Sequence, residues 1–173
     1  MGAVIRTVLA DDHDIVRSGL KVELGDRFQV VGEADDAPGA IDVIAAHEPD
    51  LVVCDLQMPG GGGLAVVKAS ATIAPIVILT VSEAERDLLD AVAAGAAGYL
   101  LKTTPSVELR EKLERAAAGE PVFSPSLAAL VLGEFRRMAK SEGANPLTDR
   151  EREVLTYVAH GITRSFREGM REP

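Results

Sequence analysis

Leu51-Val52-Val53-Cys54-Asp55 is a continuous apolar run that stops at a carboxylate. A strand with one face in water would alternate apolar and polar residues, so an unbroken run indicates a strand buried on both faces. Similar runs recur over the first hundred residues. Together they predict five strands: Ile5–Leu9, Phe28–Val31, Leu51–Cys54, Ile76–Leu79 and Tyr99–Leu101.

Longer stretches with helical spacing of apolar residues separate these runs. They predict helices over Ile15–Leu24, Ala40–Ala46, Leu64–Ala71, Glu83–Ala94 and Val107–Ala118. Buried strands that alternate with helices indicate a doubly wound α/β domain with a parallel sheet, predicted over residues 1–121. Ligands of such sheets bind at the carboxyl ends of the strands, so the residues that end strands are the candidates for a site.

Length and composition limit the alternatives. A chain of 173 residues holds one domain with a full core and a smaller appendage. Residues 1–120 contain 10 Lys and Arg against 20 Asp and Glu, and this acidic part should repel nucleic acid. The N-terminus lacks a signal-peptide core, and the lone Cys54 excludes an intramolecular disulfide, so the cytoplasm is the expected compartment.

Five polar residues stand at the carboxyl ends of four predicted strands: Asp11, Asp12, Asp55, Thr80 and Lys102. Parallel strands end at the same edge of a sheet, so we expect these side chains to converge. Three carboxylates held together repel one another unless a divalent cation neutralises them. Mg²⁺ fits best, because it accepts a few carboxylates, keeps several waters and binds a phosphate oxygen.

A carboxylate beside a metal and a fixed cation can attack phosphorus and form an acyl phosphate. Asp55 is the predicted nucleophile, because it stands alone on the central strand, whereas Asp11 and Asp12 are adjacent and better placed to hold the metal. Lys102 supplies the cation, and Thr80 supplies a hydroxyl for a phosphoryl oxygen. Each residue alone is ordinary at a strand end, but five complementary groups at one edge indicate a site.

The motifs around these residues resemble the receiver domains of two-component response regulators over residues 4–120. The resemblance lies in Leu9-Ala10-Asp11-Asp12-His13, Val52-Val53-Cys54-Asp55-Leu56-Gln57-Met58-Pro59-Gly60, Leu79-Thr80 and Gly98-Tyr99-Leu100-Leu101-Lys102. It implies a flavodoxin-like sheet with strand order 2-1-3-4-5. It also implies that Asp55 accepts a phosphoryl group from a sensor histidine kinase and that Lys102 binds the phosphate. Mg²⁺ would be held by Asp11, Asp12, Asp55 and the backbone carbonyl of Gln57.

The resemblance further implies that Thr80 and Tyr99 form a switch pair. A phosphoryl group adds negative charge and acceptors, which should draw Thr80 inward and leave room for Tyr99 to turn into the fold. Without the family context, Tyr99 would be interpreted as a half-buried strand aromatic. Two positions depart from the family pattern: the run Gly60–Gly63, expected to loosen the loop beside Asp55, and Thr103, where many relatives have proline.

A different kind of segment follows residue 121. Ser124-Pro125 favours a helix start and helical spacing continues from Leu127 to Ala139, which predicts a linker helix within 122–145. Residues 146–173 form a predicted partial all-α segment that resembles the opening of a LuxR/NarL-type helix-turn-helix domain. Its last ten residues lack a helical apolar pattern. The domain is therefore predicted to be truncated, without its recognition helix, and DNA binding by this chain is predicted to be defective.

The sequence thus predicts a response regulator that works with a histidine kinase, dimerises through the receiver or the linker helix and does not contact membranes. Its own chemistry would be limited to Mg²⁺-dependent self-phosphorylation and autodephosphorylation. Two alternatives stay open: a receiver that acts only through protein contacts, and an aspartyl-phosphate phosphatase. The phosphatase is the weaker, because such enzymes usually place a general-acid Asp two residues after the nucleophile, where this chain has Gln57.

Overall fold

The sheet of this protein is parallel throughout, as seen in a computed structural model that describes residues 2–123 and 125–141. Within these residues six strands lie in the order β2-β1-β3-β4-β5-β6, and every neighbouring pair is parallel. The strands are β1 (Ile5–Ala10), β2 (Phe28–Ala34), β3 (Leu51–Cys54), β4 (Ile76–Thr80), β5 (Gly98–Leu101) and β6 (Val122–Phe123). The predictions for residues 146–173 and for a cap at Ser124 lie outside the described residues.

Helices cover both faces of the sheet. They are α1 (Asp14–Leu24), α2 (Ala37–His47), α3 (Gly62–Ser70), α4 (Glu85–Ala94), α5 (Ser106–Ala117) and α6 (Pro125–Ser141). Leucines of α1 and α5 form one buried cluster with Leu9 and Leu51 of the sheet. Apolar residues of α2, α3 and α4 form a second cluster with Val8, Val52 and Ile78. The predicted doubly wound fold is confirmed, with α1 and α5 on one face and α2, α3 and α4 on the other.

The predicted number of five strands is one too few. Gly98 pairs with Val122 and Tyr99 with Phe123, so the chain after α5 adds a short parallel strand at the β5 edge. Two residues after Pro121 give no periodic pattern of their own, and their pairing depends on contacts distant in sequence. The predicted linker segment 122–145 therefore begins inside the sheet, and the predicted order of the first five strands is as observed.

Helix α6 packs against the receiver fold. It contacts α4, and Leu127 and Val131 are only 1% and 3% exposed. Both belong to the same buried cluster as Leu88 of α4 and Tyr99 of β5. Leu127 and Val131 of α6 are thus covered within the chain. No helix in the described ranges combines the length and apolarity needed to cross a membrane.

Candidate functional site

The carboxyl edge of the sheet brings together the groups that follow β1, β3, β4 and β5. The N–H of Asp55 donates to the Ala10 carbonyl at 2.8 Å, and the N–H of Lys102 donates to the Thr80 carbonyl at 2.8 Å. The ladders therefore continue one residue past the strands and fix where each side chain leaves the backbone. Asp11, Asp55 and Thr80 are all buried at this edge, at 3%, 6% and 1% exposure.

Lys102 reaches back across the sheet to two buried carboxylates. Its Nζ lies 2.7 Å from Asp11 Oδ2 and 3.3 Å from Asp55 Oδ2. Burial opposes a charged ammonium, but the hydrogen bond to Asp11 and the charges of both carboxylates outweigh it, so the pKa of Lys102 is raised. Lys102 is therefore a permanent cation that spans the two acids.

The two carboxylates respond differently to the shared cation. Burial raises the pKa of both, but the shorter hydrogen bond from Lys102 and the His13 backbone N–H bring the pKa of Asp11 below its usual value. The pKa of Asp55 is raised, because burial and the charge of Asp11 together exceed the effect of the more distant Lys102. Of these two acids, Asp55 is the one whose negative charge is less compensated, and it directly follows the central strand β3.

Asp12 and His13 complete a set of possible metal ligands beside these acids. One ligand atom from each of Asp11, Asp12, His13 and Asp55 lies within 4.8 Å of all the others. His13 Nδ1 lies 3.0 Å from Asp11 Oδ1 and 2.9 Å from Asp12 Oδ1. Asp11 and Asp55 are buried, while the side chain of Asp12 is 34% exposed. The cluster can bind a metal ion that reaches it from the solvent side.

The loop after β3 passes close to the Asp55 main chain. The Gln57 backbone N–H donates to the Asp55 carboxylate. Gly60, Gly61 and Gly62 all adopt positive φ angles, at 82°, 109° and 67°. A Cβ at Gly62 would lie 2.3 Å from the Leu56 carbonyl oxygen. The glycine run permits a tight turn that places the start of α3 beside Asp55. The expectation that it loosens this loop stays a prediction.

Thr80 and Tyr99 meet at one residue of the β4–α4 loop. The Ser82 N–H donates to Thr80 Oγ1 at 3.2 Å, and Tyr99 OH donates to the Ser82 carbonyl at 3.1 Å. Ser82 Oγ donates in turn to Asp87 Oδ2 of α4 at 2.6 Å. Tyr99 is fully buried. Its ring therefore lies inside the fold and is bonded to the β4–α4 loop.

Three residues contribute to this edge beyond those predicted from the sequence. His13 directly follows two aspartates, and that adjacency is a signal that could have placed it in the cluster. Ser82, two residues beyond Thr80, has the spacing of a local side-chain to backbone turn. Arg17 lies six residues after Asp11, and its guanidinium donates to the Asp11 carbonyl. Nothing in the apolar pattern of α1 indicated that contact.

Comparison with known proteins agrees with the geometry. Residues 7–114 match the response regulator receiver domain. The chain is 39% identical over 164 residues to a nitrate/nitrite response regulator protein homolog of Haemophilus influenzae, an alignment that covers 92% of this chain and 77% of that protein. It is 37% identical over 162 residues to a probable transcriptional regulatory protein NarL of Mycobacterium tuberculosis, with 91% and 74% covered.

A solved structure extends the likeness to three dimensions. The crystal structure of a two-component response regulator of the LuxR family from Aurantimonas sp. SI85-9A1 has a TM-score of 0.72 and 34% identity. The match covers 78% of this chain and 99% of that one. Family match, sequence relatives and fold agree, and the chain belongs to the response regulator receiver domain family, with NarL-type two-component response regulators as its homologues.

Proposed function

We propose that Asp55 is the phosphoryl acceptor of this response regulator and that phosphorylation switches its output surface. One observation carries the proposal: the Asp55 carboxylate, only 6% exposed, lies 3.3 Å from Lys102 Nζ and shares that cation with Asp11. A buried carboxylate with raised pKa beside a fixed cation is an arrangement found at reactive sites. The five-residue combination predicted from the sequence supports the same assignment.

The residues at this edge fit Mg²⁺. Carboxylate oxygens of Asp11, Asp12 and Asp55 are the hard oxygen ligands that Mg²⁺ prefers, and an exposed Asp12 leaves room for coordinated water. The Gln57 carbonyl is proposed as a further ligand from the same loop. When bound, the ion would neutralise negative charge on the transferring phosphoryl oxygens.

The transfer itself requires little from the protein beyond position and charge. An Asp55 carboxylate oxygen forms a bond to phosphorus while the P–N bond to a kinase histidine breaks, and the imidazole nitrogen keeps the electron pair. The product is an acyl phosphate on Asp55 and a free histidine on the kinase. Lys102, already held between the two acids, is placed to pair with a phosphoryl oxygen. The same site would accept a phosphoryl group from a small acyl phosphate and lose it to water.

The switch is proposed to run through Ser82. A phosphoryl oxygen on Asp55 offers a strong acceptor to the Thr80 hydroxyl. Movement of Thr80 would carry Ser82, because the Ser82 N–H is bonded to that hydroxyl. Ser82 also contacts Tyr99 and Asp87, so the start of α4 would follow. Since Tyr99 is already buried, phosphorylation is proposed to stabilise an inward ring and not to bring it in from solvent.

A homodimer formed through the receiver is the proposed assembly. Ile15 and Val22 are 88% and 82% exposed and, seven residues apart on α1, lie on one side of that helix. Val107 of the neighbouring α5 is 70% exposed. A self-complementary apolar patch suits a two-fold interface. Helix α6 is the less suitable surface, because Leu127 and Val131 are buried within the chain.

Light scattering tests this interface. It should show a Val22→Asp variant as a monomer and an Ile73→Asp control as a dimer. A Val22→Asp variant that stays a dimer would contradict the interface.

Transcription regulation is the proposed output, supported by relatives that carry that description. One, 32% identical over 166 residues, is a DNA-binding transcriptional activator DevR/DosR of Mycobacterium tuberculosis. The excess of acidic residues before position 120 argues against DNA contact by the receiver. Any contact with DNA is therefore assigned to residues beyond α6, and DNA binding by this chain stays predicted to be defective. A gel shift with the isolated 1–141 fragment should show no binding, and specific binding would contradict this assignment.

Intact mass spectrometry tests the acceptor. After incubation with acetyl phosphate and Mg²⁺, the wild-type chain should gain the mass of one phosphoryl group, and an Asp55→Asn variant should gain none. An Asp35→Asn variant, which makes the same chemical change at an exposed position, should behave as wild type. A wild-type chain that stays unmodified, or an Asp55→Asn variant that is modified equally, would refute the proposal.

A further inference from the structure

Arg17 of α1 joins three parts of the fold beside the candidate site. Its side chain is only 14% exposed. The guanidinium donates to the Asp11 main-chain carbonyl and to the Asp14 carboxylate, and its Nε donates to Glu33 Oε1 of β2 at 3.2 Å. A single side chain therefore connects the β1–α1 loop, the first turn of α1 and the β2 strand.

These contacts hold Asp12 from both sides. The Arg17 backbone N–H donates to the His13 carbonyl at 3.2 Å, while the Arg17 guanidinium holds the Asp11 carbonyl. Asp12 lies between the two carbonyls that Arg17 binds. In addition, the Asp11 N–H donates to the Ala34 carbonyl of β2 at 3.0 Å. The path of the backbone at Asp12 is thus fixed by β2 directly and through Arg17.

Glu33 provides the anchor for this arrangement. It pairs in register with Leu9, two residues before Asp11. Its second carboxylate oxygen lies 2.5 Å from Lys21 Nζ, so two cations of α1 share one acid of β2. Only Arg17 of these two cations also contacts the loop. Lys21 therefore offers a matched control that keeps the same helix and the same acidic partner.

The geometry needs an arginine at this position. A guanidinium has five N–H donors in a planar fork and serves three acceptors in different directions, whereas an ammonium is a compact point charge. Lysine at position 17 would keep the positive charge but lose the simultaneous contacts. The substitution therefore separates the effect of position from the effect of charge.

We propose that Arg17 is a positioning residue that holds Asp12 in place for a divalent cation. This inference rests on the proposed function, because Asp12 is assigned there as a ligand of Mg²⁺. Groups that orient metal ligands without touching the metal typically contribute 10–100-fold to metal affinity. Arg17 does so through main-chain carbonyls, and its loss would let the loop carry Asp12 away from Asp11 and Asp55.

Calorimetric titration with Mg²⁺ tests the inference on the full chain. Arg17→Lys should weaken Mg²⁺ binding by roughly tenfold. Lys21→Gln should stay within about twofold of wild type, because an exposed ion pair contributes little and this one does not touch the loop. The phosphorylation rate of Arg17→Lys with acetyl phosphate should return to the wild-type rate at saturating Mg²⁺, which a general structural defect would not allow.

The outcomes separate this inference from the proposed function. If wild type binds Mg²⁺ and is phosphorylated but Arg17→Lys binds Mg²⁺ equally well, the role of Arg17 is refuted. A rate that excess Mg²⁺ does not restore would refute it as well. If wild type neither binds Mg²⁺ nor accepts a phosphoryl group, the proposed function fails and this inference fails with it. Should Arg17→Lys not fold, Glu33→Ala removes the acid that anchors both Arg17 and Lys21, and Lys21→Gln controls for the loss of the Lys21 pair. An unchanged Mg²⁺ affinity in Glu33→Ala would overturn the inference.

Discussion

An Asp55→Asn variant should be more stable than the wild-type protein in the absence of divalent cations. Folding raises the pKa of Asp55, chiefly through burial and then through the charge of Asp11. The folded state therefore favours the neutral acid, and the charged form lowers stability at neutral pH. Asparagine is a neutral isostere that keeps an oxygen for Lys102. We expect the free energy of unfolding to rise by roughly 0.5–2 kcal/mol, the range typical of single stabilising substitutions.

Urea denaturation followed by circular dichroism, in EDTA at neutral pH, measures this difference. For a chain of this size each kcal/mol corresponds to about 2–4 °C in the melting temperature, so thermal unfolding gives a second measurement. Mg²⁺ at ten times its dissociation constant should stabilise wild type by about 1.4 kcal/mol. It should stabilise Asp55→Asn less, because one carboxylate ligand is missing. The stability advantage of the variant should therefore shrink when Mg²⁺ is added.

An exposed aspartate provides the control for this experiment. Asp35→Asn makes the same chemical change at an exposed position after β2 and should alter stability by less than about 0.5 kcal/mol. An Asp55→Asn variant that is equally stable or less stable than wild type in EDTA would refute the argument that Asp55 carries uncompensated charge. Equal stabilisation of both proteins by Mg²⁺ would refute the role of Asp55 as a ligand.

Two further pairs of substitutions test the packing of α6 and of the turn beside Asp55. Leu127→Ala should lower the free energy of unfolding by roughly 2–5 kcal/mol, because it leaves a cavity in the core. Met138→Ala, on the exposed side of α6, should change the free energy of unfolding little. Equal effects of the two variants on urea denaturation would mean that α6 does not pack as described. Gly62→Ala and Gly25→Ala meet nearly the same positive φ, 67° and 66°, but only Gly62 faces a carbonyl oxygen at 2.3 Å. Gly25, at φ 66° and ψ −164°, lies in a backbone region that is essentially restricted to glycine, so Gly25→Ala should cost about 1–3 kcal/mol. Gly62→Ala should cost clearly more, and a Gly62→Ala variant as stable as Gly25→Ala would contradict the tight turn beside Asp55.

The parts of the fold that depend on local pattern could be predicted from the sequence. Unbroken apolar runs such as Leu51–Cys54 indicate parallel strands without help from distant residues, and the helices between them follow from spacing. Strand β6 could not be predicted in this way, since Val122 and Phe123 are held only by pairing with β5. The observed ends of several strands differ from the predicted ends, because backbone hydrogen bonding between strands, and not residue type, decides where a strand stops.

The residues of the candidate site could be predicted where they directly follow strands, and less well where they lie in loops. Asp55 and Lys102 follow directly from the topology of a parallel sheet. The ring position of Tyr99 did not follow, because burial depends on the Ser82 carbonyl and on residues of α6 that join the same cluster. The contact between Arg17 and the Asp11 carbonyl is a side-chain to backbone bond that no periodic pattern encodes.

Reductive trapping locates the modified residue and tests the central claim most directly. An acyl phosphate on an aspartate is reduced by borohydride to homoserine, which marks the acceptor in the peptide sequence. After phosphorylation with acetyl phosphate and Mg²⁺, tandem mass spectrometry should find homoserine at position 55. Homoserine at Asp11 or Asp12, or a phosphoryl group that survives borohydride unchanged, would contradict the assignment of Asp55 as the acceptor.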